Sequence, residues 1–268
     1  MALSYEMILQ KVLEIRKHHK KMGGRKLFYK LKPFLKEQGI KMGRDHFFTF
    51  LHLNGLKVRR RKRHVRTTYS YHRFRKYPNI IQGLKVTRSN QLWVSDITYW
   101  RLSEKVGYIS FITDVFSHKV VGYYLSETLE ASGSIMALKM ALEQAGAIEG
   151  LIHHSDRGIQ YCSYDYVQLL KKHGIQISMT ENGDPRENSI AERLNGIIKG
   201  EYLLDQTFDD FIQARGYLEK SVFLYNSDRP HLSLDYKTPE LIHETSEKTT
   251  KKWKNYYEHK EKNEYFLT

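Results

Sequence analysis

Cysteine is almost missing from this chain, with Cys162 the single one in 268 residues. A lone cysteine excludes a disulfide framework and any zinc site built on paired cysteines. Long apolar runs are missing as well: no stretch reaches the ~18 consecutive apolar residues that a membrane helix needs. Residues Met1 to Lys11 lack the charged-then-apolar order of a signal peptide. These absences lead us to expect a cytoplasmic protein with no membrane partner.

Acidic residues are scarce in one region. Residues 1–66 hold 19 Lys/Arg against 4 Asp/Glu, a balance of +15, whereas the remaining 202 hold 25 against 26, a balance of −1. The net charge of +14 therefore sits almost wholly in the N-terminal quarter. A polycation attached to a neutral body binds polyanions by releasing their condensed counterions. A solvated basic face, or affinity for anionic lipid, is the plainer alternative.

Helical spacing organises that quarter. Ile8, Val12 and Ile15 predict a helix over residues 5–20, broken by Gly23-Gly24. Leu27, Leu31, Phe34 and Leu35 predict a second, ended by Gly39. Asp45 suits the cap of a third, which carries Phe47, Phe50 and Leu51 and stops at Asn54-Gly55. Two short helices around a glycine-containing turn suggest a helix-turn-helix over residues 1–58, or a generic three-helix bundle. Arg59-Arg60-Arg61-Lys62-Arg63 follows, with Tyr69, Tyr71, His72, Arg73 and Arg75 beyond it. This aromatic-interleaved basic stretch, residues 59–88, reads as a linker lying along phosphates.

From Asn90 the pattern becomes that of a folded core, over residues 89–245. Residues 92–100, 106–113 and 119–124 predict three strands in a meander. Residues 128–146 predict a helix, 150–154 a buried strand, 160–173 a helix and 175–177 a short strand. A polar loop over 180–189 leads into helices at 189–205 and 208–226. This order implies a mixed α/β sheet flanked by helices. Residues 246–268 are charged, and we assign them no core role.

Three acids stand out by position. Asp96 interrupts an apolar strand, where a short charged side chain resists burial. Asp156 follows a short strand, where the chain leaves a sheet edge. Glu192 lies in the first turn of the helix after the polar loop. Each has a plain explanation: a satisfied buried acid, an Asx-turn in Ser155-Asp156-Arg157-Gly158, and a capping-box glutamate in Ser189-Ile190-Ala191-Glu192. Taken together they suit phosphodiester chemistry, which uses two divalent ions about 3.5–4 Å apart held by few carboxylates. Helix 189–205 would have to cross the sheet on an apolar face of Ile190, Leu194 and Ile197, leaving Glu192 at the edge of that face.

These residues resemble the OrfB transposases of the third bacterial insertion-sequence family, in the retroviral-integrase superfamily. That superfamily's signature is two Asp and one Glu with 35 residues before the Glu, and 35 residues, 157 to 191, separate Asp156 from Glu192 here. Trp93-Val94-Ser95-Asp96-Ile97-Thr98-Tyr99, Asp114-Val115-Phe116-Ser117, His154-Ser155-Asp156-Arg157-Gly158 and Ala191-Glu192-Arg193 match the family's wording. So do Tyr225-Asn226, Arg229-Pro230-His231 and Thr238-Pro239.

The resemblance implies an RNase-H-like core with a five-stranded mixed sheet. It also implies a polynucleotidyl transferase that cuts and joins double-stranded DNA, namely the element's terminal repeats and a target. Asp96, Asp156 and Glu192 would be the catalytic, metal-holding residues for two Mg²⁺ ions, with Mn²⁺ able to substitute. Glu181, Asp184 and Glu187 also precede Glu192 as alternatives for the third acid, Glu187 leaving 30 intervening residues. The resemblance further implies a homo-oligomer on DNA, an OrfA partner or fusion, and association with the bacterial nucleoid. Lys199, on nearly the same side of its helix as Glu192, is a candidate DNA contact beside Arg59, Arg60, Arg61, Lys62 and Arg63; a solvated lysine is the alternative. Asp114 reads as structural, and His118 stands where the family commonly has Arg. A nuclease that cuts without joining, or a DNA-binding protein without catalysis, would share many of these features.

Overall fold

The computed structural model describes residues 2–58, 73–181 and 188–249. Arg59, Arg60, Arg61, Lys62 and Arg63 lie outside the described residues, as do Asp184, Glu187 and most of the C-terminal tail.

The basic quarter folds as helices α1 (Ala2–His18), α2 (Gly24–Glu37) and α3 (Arg44–Leu53). Ile8 and Val12 of α1, Leu27, Leu31 and Leu35 of α2, and Phe47, Phe50 and Leu51 of α3 close a core of their own. The expected periodicity thus holds, with one correction. Asp45 does not cap α3: Gly43 is the N-cap, and Asp45 sits in the first turn, where Arg44 Nε donates to it at 2.9 Å.

The main sheet consists of β1 (Leu92–Arg101), β2 (Val106–Asp114), β3 (Val120–Ser126), β4 (Ile152–Ser155) and β5 (Gln176–Met179), in the order β3-β2-β1-β4-β5. The β1–β2 and β2–β3 pairs are antiparallel, while β4 lies parallel to both β1 and β5. Helices cover both faces. On one lie α4 (Ala131–Gln144), α5 (Ile159–Cys162) and α6 (Tyr164–Lys172), packed around Trp93, Ala137, Leu138 and Tyr166. On the other lie α7 (Ser189–Ile198) and α8 (Phe211–Ser227), packed around Trp100, Phe111, Leu194 and Tyr225. A short α9 (Pro239–Thr245) follows, with Thr238 accepting from Leu241 N as its cap. Gly122 allows α4 to sit directly on β3: a Cβ there would lie 2.2 Å from the Ala137 carbonyl oxygen.

Three expectations need correction. The helix expected over 160–173 is two helices, because Ser163 takes an extended conformation and its hydroxyl donates to Gln160 O at 2.8 Å. The helix expected over 189–205 is α-helical only to Ile198 and then widens into a π-turn, Lys199–Leu203. The end of the expected linker belongs to the core: Ile81 is buried with Leu92 and Ile152, and Ile80 N donates to Ser178 Oγ at 3.1 Å. Its few apolar residues, spaced without periodicity, pack against Leu92 and Ile152, while its main chain meets β5 at Ser178 and Met179.

Candidate active site

Strand pairing brings Asp96 and Asp156 together. The parallel β1–β4 register ends at Ser95 opposite Ser155. Asp96 is the next residue along β1, and Asp156 is the first residue beyond β4. Neighbouring strands run about 4.8 Å apart, so the two carboxylates emerge side by side and line one small cleft with Leu129, Gly158, Gln160 and Tyr161. The Asx-turn expected from the sequence is present: Gly158 N donates to Asp156 Oδ1 at 2.9 Å. A Cβ at Gly158 would lie 2.9 Å from that same oxygen, so the absent side chain lets the carboxylate sit there.

Helix α7 crosses over β1 and is fastened along it. Its N-cap, Asn188, donates through Nδ2 to Ser95 O at 3.0 Å. One helical stretch further, Asn195 Nδ2 donates to Asp96 Oδ2 at 2.6 Å. Further still, Lys199 Nζ donates to Thr98 Oγ1 at 3.3 Å and stands 3.6 Å above the Tyr99 ring. Asp96 and Thr98 share a face of β1, two residues apart. Glu192 lies between Asn188 and Asn195 on the helix and is exposed at the edge of its buried face. That face is Ala191, Leu194, Asn195 and Ile198, one residue round from the expected Ile190, Leu194 and Ile197. Ile190 and Ile197 are only half-buried, because a polar residue, Asn195, takes the central place against Asp96.

Burial and neighbouring charge both act on these acids. Burial, and then the charge of Asp156, push the Asp96 carboxyl up to about 7; the Asn195 hydrogen bond pulls the other way, and Glu192 adds a smaller upward push. Glu192 is itself raised by desolvation and by Asp156. Asp96 and Glu192, both raised in part by the charge of Asp156, mark a site with a deficit of positive charge. As it stands, among the described residues, no group of three acid, imidazole or thiol side chains is arranged to hold a metal ion. Asp96 and Asp156 share the cleft, while Glu192 stays outside its lining.

Asp114 is fully buried and accepts from Asn90 N at 2.8 Å and from Ser117 N and Oγ, each at 2.7 Å. That pins the turn between β2 and β3, the structural role expected of it. His118 does not present a cation: its ring stacks on His231 with centroids 5.0 Å apart, and burial lowers its pKa to about 4. Glu181 accepts from Asn79 N at 3.3 Å, on the far side of β5. Sequence reasoning missed Asn188 and Asn195. A half-polar helix face three residues after a candidate acid was the signal available for Asn195; Asn188 gave none.

Comparison with known proteins agrees with this geometry. Integrase core domain models match residues 86–185 and 173–239. The chain is 34% identical over 220 residues to the 31 kDa protein of insertion element IS600 of Shigella sonnei, covering 80% of each chain. It is 30% identical over 240 residues to the transposase for insertion sequence element IS904 of Lactococcus lactis, covering 87% of this chain and 92% of that one. A chain of the simian T-cell lymphotropic virus intasome shares the fold, with a TM-score of 0.53, 16% identity, and coverage of 91% of this chain and 78% of that one. With an insertion-sequence relative matched over nearly its whole length and an integrase core beneath the acid-lined cleft, the chain belongs to the OrfB-type transposases of the third bacterial insertion-sequence family.

Proposed function

We propose that this chain cuts the phosphodiester at each end of its insertion sequence and joins the freed 3′-hydroxyl to target DNA, using Asp96, Asp156 and Glu192. The observation that carries the reading is that Asp96, within β1, and Asp156, just past the end of the parallel strand β4, line one cleft beneath the helix that bears Glu192. The donor set suits magnesium. All three side chains offer only oxygen, the ligand that ion prefers. Their mutual repulsion is what a divalent cation would relieve.

Asp96, Asp156 and Glu192 would hold two Mg²⁺ ions, which when bound supply activation of the attacking oxygen and charge stabilisation of the leaving one. The chain's own task is then positioning. Asn195 aims one oxygen of Asp96, and the Gly158 amide aims one oxygen of Asp156. Glu192, in the first turn of α7, would close over the cleft. The one hydroxyl lining the cleft, that of Tyr161, is kept protonated by burial and by the charge of Asp96, so water opens the strand and the released hydroxyl attacks in line, without a covalent protein intermediate.

The basic helices α1 to α3 and the run Arg59, Arg60, Arg61, Lys62 and Arg63 would grip the terminal repeats through phosphates. Two ends must be joined in concert, so the working form is an oligomer on DNA, with an OrfA portion as partner or fusion. The Asp156→Asn protein should lose Mg²⁺-dependent cleavage of an end-containing duplex by at least about a hundredfold while binding that duplex as the unaltered protein does. Retained cleavage would remove the proposal. Cleavage without joining in a strand-transfer assay would reduce the protein to a nuclease.

A further inference from the structure

Helix α7 does not end where its α-hydrogen bonds end. It runs on into the π-turn Lys199–Leu203, closed by Leu204 N donating to Lys199 O at 2.9 Å. Such turns are rare and gather at functional positions, because the extra residue re-aims the side chains that follow. Here Tyr202 and Leu203 enter the core, while Glu201 turns toward the basic bundle.

Glu201 is held from two directions. Its Oε1 accepts from Lys26 Nζ at 2.6 Å and from one Arg229 terminal nitrogen at 2.8 Å, and its Oε2 accepts from Arg229 Nε at 2.8 Å. Lys26 and Arg229 are 8% and 2% exposed, so the cluster is nearly dry. Burial works against the charge of both carboxylate and lysine. Glu201 is nevertheless held below its ordinary value by Arg229 and Lys26, whereas Lys26 drops to about 8. Buried ion clusters add little net stability, and their best-attested use is to fix one arrangement against others.

The arrangement fixed here is the seat of α7. One end of that helix is tied to β1 through Asn188 and Asn195; the other is tied, through Glu201, to Lys26 in the first turn of α2. Resting on the catalytic reading of Asp96, Asp156 and Glu192, we propose that Lys26 and Glu201 are positioning residues: they transmit the placement of the basic bundle to Glu192 and so set how well the three carboxylates converge. The seam between bundle and core holds other ties that do not reach α7. Lys30 binds Asp228, and Tyr29 stacks on Tyr236 with centroids 4.5 Å apart; His19, which joins Asp228 to Tyr202 of the π-turn at 2.9 Å, belongs instead with Lys26. The Lys30 and Tyr29 ties give the proposal an internal control.

The test is Mn²⁺ affinity of the full chain without DNA, read by electron paramagnetic resonance. Lys26→Gln should weaken Mn²⁺ binding about tenfold. Lys26→Arg should restore it, and Lys30→Gln should leave it unchanged. Where Lys26→Gln fails to fold, Lys26→Met carries the same expectation, since the Glu201–Arg229 fork remains intact. Unchanged affinity in the Lys26 variants, or an equal loss in Lys30→Gln, would overturn the proposal while leaving the catalytic reading in place. Mn²⁺ binding that ignores Asp96→Asn would overturn the catalytic reading and this inference with it.

Discussion

Asn195 donates to Asp96 at 2.6 Å across 99 residues of sequence, tying the helix that bears Glu192 to the strand that bears the first aspartate. The bond favours the ionised form of Asp96, against burial and the charge of Asp156. Removing the donor should therefore raise the Asp96 carboxyl above about 7. For Asn195→Ala we expect Mg²⁺-dependent cleavage at pH 7 to fall about tenfold, the usual scale for a residue that orients a metal-holding group. The deficit should shrink toward pH 9, as the carboxylate is forced to ionise. Rate profiles over pH 6–9 check this, and a loss independent of pH would speak against it.

Asp96 also makes stability depend on pH. Its folded value of about 7 lies above the ordinary 3.8, so between those two the folded state holds a proton that the unfolded state has released. Stability contributed by the protonated acid is complete below pH ~4 and is lost as pH rises through ~7. Asn cannot ionise and escapes that loss. With divalent ions chelated, Asp96→Asn should match the unaltered protein near pH 4 and exceed it by roughly 1–3 kcal/mol at pH 8. Denaturant melts at the two values measure it; parallel curves would show that Asp96 is not held protonated.

The basic run carries a prediction of its own. If Arg59, Arg60, Arg61, Lys62 and Arg63 lie along phosphates, replacing all five by Gln should reduce the dependence of log K on log salt by about 0.9 for each phosphate no longer neutralised, and so by about 2–4 in all. Fluorescence anisotropy with an end-containing duplex between 50 and 200 mM salt, conditions chosen from the usual range, gives the slope. An unchanged slope would assign the grip to α1 to α3 alone.

Much of this molecule was legible in the sequence where a local rule dominates. The apolar spacing of Leu27, Leu31 and Leu35 predicts α2, and the apolar and aromatic residues of Leu92-Trp93-Val94 and Ile97-Thr98-Tyr99-Trp100 predict β1. Asp96 and Asp156 drew attention because an acid in or after an apolar strand is costly, and their adjacency then follows from parallel pairing alone. What was not legible depends on tertiary neighbours. The one-residue rotation of the buried face of α7 follows from Asn195 meeting Asp96, and no helical periodicity carries that. The π-turn carries Glu201 to Lys26 and Arg229, 175 and 28 residues away, partners that no local pattern shows. Residues 78–86 have too little pattern to show that they would join the core beside Leu92 and Ile152.

If three acids far apart in the chain clasp a pair of divalent ions, the ions themselves should be visible. Crystals of the protein bound to an end-containing duplex and soaked in Mn²⁺ would reveal them through anomalous density. Two peaks about 3.5–4 Å apart are expected, each touched by oxygens of Asp96, Asp156 or Glu192, with Glu192 drawn in over the cleft. Peaks lying elsewhere would refute the clasp. So would an ordered Glu192 that stays turned away while Asp96 and Asp156 hold the ions without it.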